Sequence, residues 1–251
     1  MRVLLVILVL LPGLTRAGEC VVLLHGLART DASMTRMAEA LRDAGFDVAN
    51  VDYPSRDHPV AELADRAVPR GLERCAEAGD PEPHFVTHSL GGILVRSYYH
   101  RNSRSRPQRV VMLAPPNRGS QVVDELHDMP GFAFWHGPAG DQLGTGAHSV
   151  PLRLPPVDFP TGIIAGTDSI NLILSNFLPD PDDGKVALSR ARVKGMTACI
   201  ALPVTHTFMM LDDEVIRQTL HFLDHGSFDR RNGIPPTCDR ILEDAAVEQE
   251  P

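Results

Sequence analysis

The stretch His84-Phe85-Val86-Thr87-His88-Ser89-Leu90-Gly91-Gly92-Ile93-Leu94-Val95 leaves few folds open to this chain. An apolar run, a serine among small residues and a second apolar run read as strand, sharp turn and helix. On such a turn the hydroxyl stands clear of both elements. The residues beside it must be small, because the backbone enters a region of φ/ψ space where side chains collide. A serine that merely caps the helix of an ordinary strand–helix turn fits the same residues, so the motif gains meaning only from what the chain sets around it.

The chain has 251 residues, enough for one sizeable core, and a single domain over 18–251 is expected. A formal net charge of −8 offers no basic excess to neutralise phosphates, so nucleic acid is not an expected partner. Residues 1–17 differ from the rest: Arg2, an apolar run over 3–11 and small residues at Thr15 and Ala17. This run is too short to span a bilayer and reads as a cleaved signal peptide, which would put the mature chain in a periplasm or outside the cell. An uncleaved anchor is the alternative, disfavoured because the folded pattern begins almost at once, at Cys20.

Export lets the four cysteines Cys20, Cys75, Cys199 and Cys238 oxidise. They lack the close paired spacing of a zinc site. Of the three possible pairings, Cys20 with Cys75 and Cys199 with Cys238 is preferred, because each pair falls where strands begin and helices end, away from the strand ends that carry the site. Four free buried thiols are the alternative.

Buried strands of a parallel sheet read as continuous apolar runs. Such runs lie at 20–24, 46–51, 85–88, 110–114, 162–166 and 198–204. Helical spacing marks 33–44, with Ser33 as its cap and Gly45 as its stop, then 59–78, where Pro69 should kink or break the helix. It marks 90–100, 121–127 and 214–225 as well. The arginines of 101–109 read as a solvated loop. The stretch 129–160 is rich in Gly and Pro yet holds Phe132, Phe134 and Trp135. Its length suggests a lid or pocket wall, with a packed surface excursion as the alternative. Residues 167–197 are also irregular, and 239–251 reads as a frayed tail. Strands alternating with helices predict an α/β fold: a mostly parallel sheet of about six strands with helices on both faces.

Ligands of such sheets bind at the carboxyl ends of the strands. Those ends carry His25-Gly26-Leu27, Ser89, Pro115-Pro116-Asn117, Gly166-Thr167-Asp168 and Thr205-His206-Thr207. A serine, then carboxylates, then a histidine after the last strand is a chain order that distinguishes one serine-hydrolase architecture from the others.

Together these segments resemble the α/β-hydrolase superfamily, and within it small bacterial lipases and esterases. The resemblance is carried by Val21-Val22-Leu23-Leu24-His25-Gly26-Leu27, His88-Ser89-Leu90-Gly91-Gly92, Ala114-Pro115-Pro116-Asn117-Arg118-Gly119-Ser120, Asp183-Gly184-Lys185-Val186 and Pro203-Val204-Thr205-His206-Thr207-Phe208-Met209-Met210. It departs from the family at two places: Thr87 stands where the G-x-S-x-G elbow has its first glycine, and Pro115 where a Thr-Pro-Asn-x-Gly-Ser segment has threonine.

The resemblance implies ester hydrolysis with Ser89 as nucleophile and His206 as its base, without metal or organic cofactor. The backbone amides of Leu27 and Leu90 would form the oxyanion hole. For the acid, Asp168 follows the fifth strand directly, a usual location, while Asp183-Gly184-Lys185-Val186 resembles the Asp-Gly-x-Val segment of lipases. Asp183 is the choice, Asp168 the second and Asp182 the third; turn-forming aspartates are the plain alternative for all three. His25 is expected to shape the oxyanion loop, and the histidines beyond His25, His88 and His206 read as surface or packing residues. Phe132, Phe134, Trp135, Phe208, Met209 and Met210 are candidates for an acyl pocket or for core. The expected partner is a small-molecule or lipid ester, with transient contact at a lipid interface. Rival readings are an acyltransferase or thioesterase on the same triad, and a catalytically silent binding protein of the same fold.

Overall fold

The computed structural model describes residues 18–127, 132–169, 178, 181–231 and 234–248. The expected signal peptide lies outside them. The strands are β1 (Cys20–Leu24), β2 (Asp47–Val51), β3 (His84–His88), β4 (Val110–Leu113), β5 (Thr161–Gly166) and β6 (Ala198–Leu202). They form one sheet in the order β2-β1-β3-β4-β5-β6, and every pairing is parallel. All carboxyl ends therefore share one edge, with β3 inside the sheet between β1 and β4.

The continuous apolar runs follow from burial on both faces. Val22 and Leu24 of β1, Phe85, Met112 and Ile163 face a core shared with α2 (Val60–Glu77) and α3 (Leu90–Arg101). Their neighbours Val21, Leu23, Val86, Val111 and Ile164 face a second core under α1 (Thr35–Asp43) and the helix Asp213–His225. Period-2 alternation in the strands is thus apolar on both phases.

Some expectations are corrected. Ser33 does not cap an α-helix: Asp31–Met34 is a 3₁₀ turn ahead of α1, and Ser33 Oγ donates to the Thr30 carbonyl (2.7 Å). Helix α2 runs through Pro69 unbroken. The carbonyl that loses its partner belongs to Asp65, on the exposed side, while Val68, Gly71 and Cys75 bury the other side against the sheet. Gly71 is what allows that approach, since a Cβ there would overlap Val22. Within the stretch expected to be irregular, Phe132–Asp141 is helical, with a break at Gly137 (φ 62°) where the chain passes the Arg56 carbonyl. Past Cys238, where fraying was expected, Cys238–Glu248 forms a helix. Ile241 and Leu242 pack against the first core, and Arg192 pairs with Asp239 at 2.5 Å.

Disulfides join Cys20 to Cys75 and Cys199 to Cys238, with Cα separations of 5.5 and 5.4 Å. Cys20 opens β1 and Cys199 lies in the first residues of β6, so both bridges sit at the edge opposite the strand carboxyl ends. Cys238 begins a helix rather than following one.

Candidate active site

Ser89 connects β3 to α3 at φ 51°, ψ −116°, a strained conformation for a residue with a side chain. Its amide donates to the Leu113 carbonyl (2.9 Å), which anchors the turn on β4. Helix α3 can start this close to the sheet because of Gly91, where a Cβ would come within 2.6 Å of the Leu24 carbonyl. Ala28 (φ 55°) and Ala114 (φ 45°) are the other non-glycine residues of positive φ among those described, and both follow strand carboxyl ends. Thr87, the residue in the elbow's glycine place, is fully buried. Room for its branch comes from Gly92, whose own Cβ would lie 3.3 Å from Thr87 Oγ1.

The loop after β1 is fixed through His25. Its Nδ1 donates to the Gly26 carbonyl (2.9 Å), its Nε2 accepts from the Tyr53 amide (3.3 Å), and its ring stacks on Tyr53 with centroids 4.0 Å apart. Tyr53 Oη in turn donates to the His25 carbonyl. Burial lowers the His25 pKa, so the ring is neutral, as an Nε2 acceptor requires. Ala28 N–H donates to Ser55 Oγ (3.0 Å) and closes the loop that carries Leu27. Leu90 is the first residue of α3, where a helical amide has no acceptor within its own helix.

Asp183 meets His206, which lines the same cavity as Ser89. His206 Nδ1 and Asp183 Oδ2 are 2.8 Å apart, and both side chains are almost wholly buried. Asp183 Oδ1 accepts from the amides of Lys185 (3.0 Å) and Val186 (2.8 Å), and its carbonyl accepts from the His206 amide (2.9 Å). Asp182 is bound within the same turn, its Oδ1 accepting from Gly184 N (2.6 Å). Asp168 is exposed, and its bond is a backbone one, its N–H to the Val204 carbonyl at 3.3 Å. The structure therefore brings Asp183, not Asp168, onto the His206 ring. Ser89, His206 and Leu27 line one cavity of about 180 Å³, with apolar walls from Val122, Leu143 and Val186.

Sequence reasoning missed three supports. His88 Nε2 donates to the His206 carbonyl (2.9 Å). Burial, then the nearby His206, push the His88 pKa well below its usual value, so it acts as a neutral donor. Ser120 Oγ donates to the Lys185 carbonyl (2.6 Å) and steadies the acid turn. Arg96, buried in α3, donates through Nη1 to Asn117 O and Oδ1 (both 3.0 Å) and through Nη2 to the Leu154 and Pro155 carbonyls (both 3.2 Å). Desolvation lowers its pKa to about 10. The available signal was a charged residue on the apolar face of a helix.

Of the pocket candidates, Met209 and Met210 are core residues and Phe208 is exposed. The side chains of Phe132, Phe134 and Trp135 lie outside the described residues. His136 and Leu143, from the stretch read as lid or pocket wall, line the cavity.

The sequence matches the model of the alpha/beta hydrolase family over residues 21–247. Among solved structures it is similar to the mature form of the Bacillus licheniformis lipase BlEst2, at 20% identity and a TM-score of 0.63 over 85% of this chain and 94% of that one. It is also similar to the phospholipase PlaB from Legionella pneumophila, at 16% identity and 0.66 over 93% of this chain and 65% of that one. A thermophilic esterase from Thermogutta terrifontis follows at 15% and 0.54, over 84% and 91%. At these identities the likeness is one of fold. No curated protein matches the chain.

Proposed function

We propose, from the premise that this chain belongs to the alpha/beta hydrolase family, that it is an exported serine hydrolase of carboxylic esters. The reading is carried by one observation, the buried contact of 2.8 Å between Asp183 Oδ2 and Nδ1 of His206, a histidine that lines one cavity with Ser89 on its strained turn.

In this reading Ser89 Oγ attacks the ester carbonyl while His206 Nε2 takes its proton, and Asp183 holds the tautomer and stabilises the imidazolium. The amides of Leu27 and Leu90 receive the oxyanion, and losing one such donor costs about 3 to 4 kcal/mol of transition-state stabilisation. His206 then protonates the departing alcohol. Water repeats the sequence on the acyl-enzyme, with His206 as base and Ser89 as leaving group. The substrate is a small-molecule or lipid ester, met in the latter case by transient contact with a lipid interface.

Export is supported by the signal-like composition of residues 1–17 and by two disulfides in the mature region. The test is labelling of the native protein by a fluorophosphonate and turnover of p-nitrophenyl esters of graded acyl length. Both are expected of the wild type and lost in Ser89→Ala; an unlabelled wild type beside a reactive control hydrolase refutes the reading. The exported chain is expected to begin at or near Gly18, which N-terminal sequencing checks.

A further inference from the structure

The Ser89 cavity is largely apolar, yet two cations stand in its wall: Arg29, two residues past Leu27, and Lys185, two residues past Asp183. Neither makes an ion pair or side-chain hydrogen bond with a described residue. Some arginines of the chain do meet carboxylates, as Arg36 meets Asp213, Arg101 Asp65, Arg106 Asp158 and Arg217 Asp229, but none of these lines the Ser89 cavity. With 32 acidic against 24 basic residues, partners are not scarce. Asp183, the carboxylate nearest to Lys185 in sequence, is already held by His206 and two amides. Asp52 and Asp57 line the adjoining groove that Arg29 also faces, and neither closes a pair with it.

The two cations act on each other and on the site. Lys185 is an exposed residue whose pKa is nonetheless lowered, first by desolvation and then by the charge of Arg29, with the charge of Asp183 acting the other way, and both cations lower that of His88. Like charges held in one wall repel, and an anion lying between them would relieve that repulsion.

We propose that Arg29 and Lys185 form an anion subsite of the Ser89 cavity, so that the preferred ester carries a negatively charged group, a carboxylate or a phosphodiester, close to its scissile carbonyl. This rests on the reading of Ser89 as nucleophile. The apolar wall takes the hydrocarbon part of such a substrate, and the cations hold its charge.

The experiment compares matched esters on the mature protein. One pair is p-nitrophenyl butyrate with the p-nitrophenyl half-ester of succinic acid, and the other a monoacylglycerol with a lysophosphatidylglycerol of the same acyl chain, below their micelle concentrations. The carboxylate and phosphodiester arms separate the two sources of charge. A preference of roughly tenfold in kcat/KM for the charged member of at least one pair is expected. It should shrink as salt rises and collapse toward unity in Arg29→Gln/Lys185→Gln, while Arg29→Lys keeps it. Turnover of the neutral esters with no preference in either pair overturns the subsite alone, as does a preference unchanged in the double variant. Turnover of none of the four overturns the hydrolase reading, and the subsite with it. The salt dependence of the wild-type ratio decides the matter even if the double variant fails to fold.

Discussion

His88 Nε2 donates to the main-chain carbonyl of His206 across 2.9 Å, joining the residue before the strained serine to the candidate base 118 positions away. Both rings are buried, with centroids 4.9 Å apart. The bond fixes the loop after β6 against the turn after β3, so His88 is a positioning residue in the proposed mechanism. Replacing it with leucine removes the donor and should lower kcat by roughly ten- to a hundredfold, the scale of a small misplacement of reacting groups. Glutamine, whose amide can reach the same carbonyl, should recover part of the loss. Steady-state kinetics of both variants, with circular dichroism confirming the fold, checks this; equal losses in the two would remove the role.

Acid sensitivity follows from two buried neutral histidines. His25 and His88 both titrate below the ordinary 6.5, in each case chiefly because burial penalises the charged ring. Above about pH 6.5 both folded and unfolded chains carry these rings neutral. Below it the unfolded chain binds protons that the native state refuses, so stability falls as pH drops from the ordinary value toward the depressed ones. The slope is about 1.4 kcal/mol per pH unit for each such histidine. Urea unfolding at pH 7.5, 6.5 and 5.5 should show it, and His88→Gln should have the shallower dependence. A wild type equally stable at 7.5 and 5.5 contradicts the assignment.

The Cys199–Cys238 bridge spans 39 residues and fastens the helix Cys238–Glu248 to β6. Loop-closure entropy assigns a crosslink of that span about 4 kcal/mol. Cys199→Ala/Cys238→Ala should therefore lower the thermal midpoint by on the order of 10 °C. Ester turnover at 25 °C should persist, because the bridge lies at the far edge of the sheet from Ser89. Differential scanning fluorimetry alongside the ester assay measures both; unchanged melting would show that the helix owes little to the bridge.

The strands were legible because residues buried on both faces must be apolar at every position, and that pattern survives without knowledge of any partner. The serine turn was legible because its conformation restricts side chains. The sequence did not show how Thr87 fits, since the compensating residue, Gly92, acts through a contact between the elbow strand and the helix beyond it. Helix Cys238–Glu248 was hidden for a related reason: its sequence is polar, and a disulfide plus Ile241 and Leu242 hold it. Likewise Met209 and Met210 read equally well as pocket or core, and only packing against Val215 and its neighbours in the second core decided it. The Arg96 to Asn117 link joins segments whose adjacency exists only once the sheet has formed.

The choice between Asp183 and Asp168 gives the sharpest prediction. A carboxylate that serves a catalytic histidine must hold one ring nitrogen and stabilise the imidazolium formed during attack, which calls for direct contact in a place that water does not screen. Asp183 has that contact at 2.8 Å and is buried, and two amides orient its other oxygen. Asp168 sits at the location usual for such acids, but it is exposed, and its backbone N–H bonds the Val204 carbonyl. Asp183→Asn keeps the size of the side chain while removing the charge and letting the wrong histidine tautomer form. It should depress kcat by several orders of magnitude, up to about 10⁴-fold. Asp168→Asn should stay within about threefold of wild type, as expected for an exposed side chain outside the site. Turnover of both variants, each shown to be folded by circular dichroism, decides it: an active Asp183→Asn beside a dead Asp168→Asn would transfer the role to Asp168.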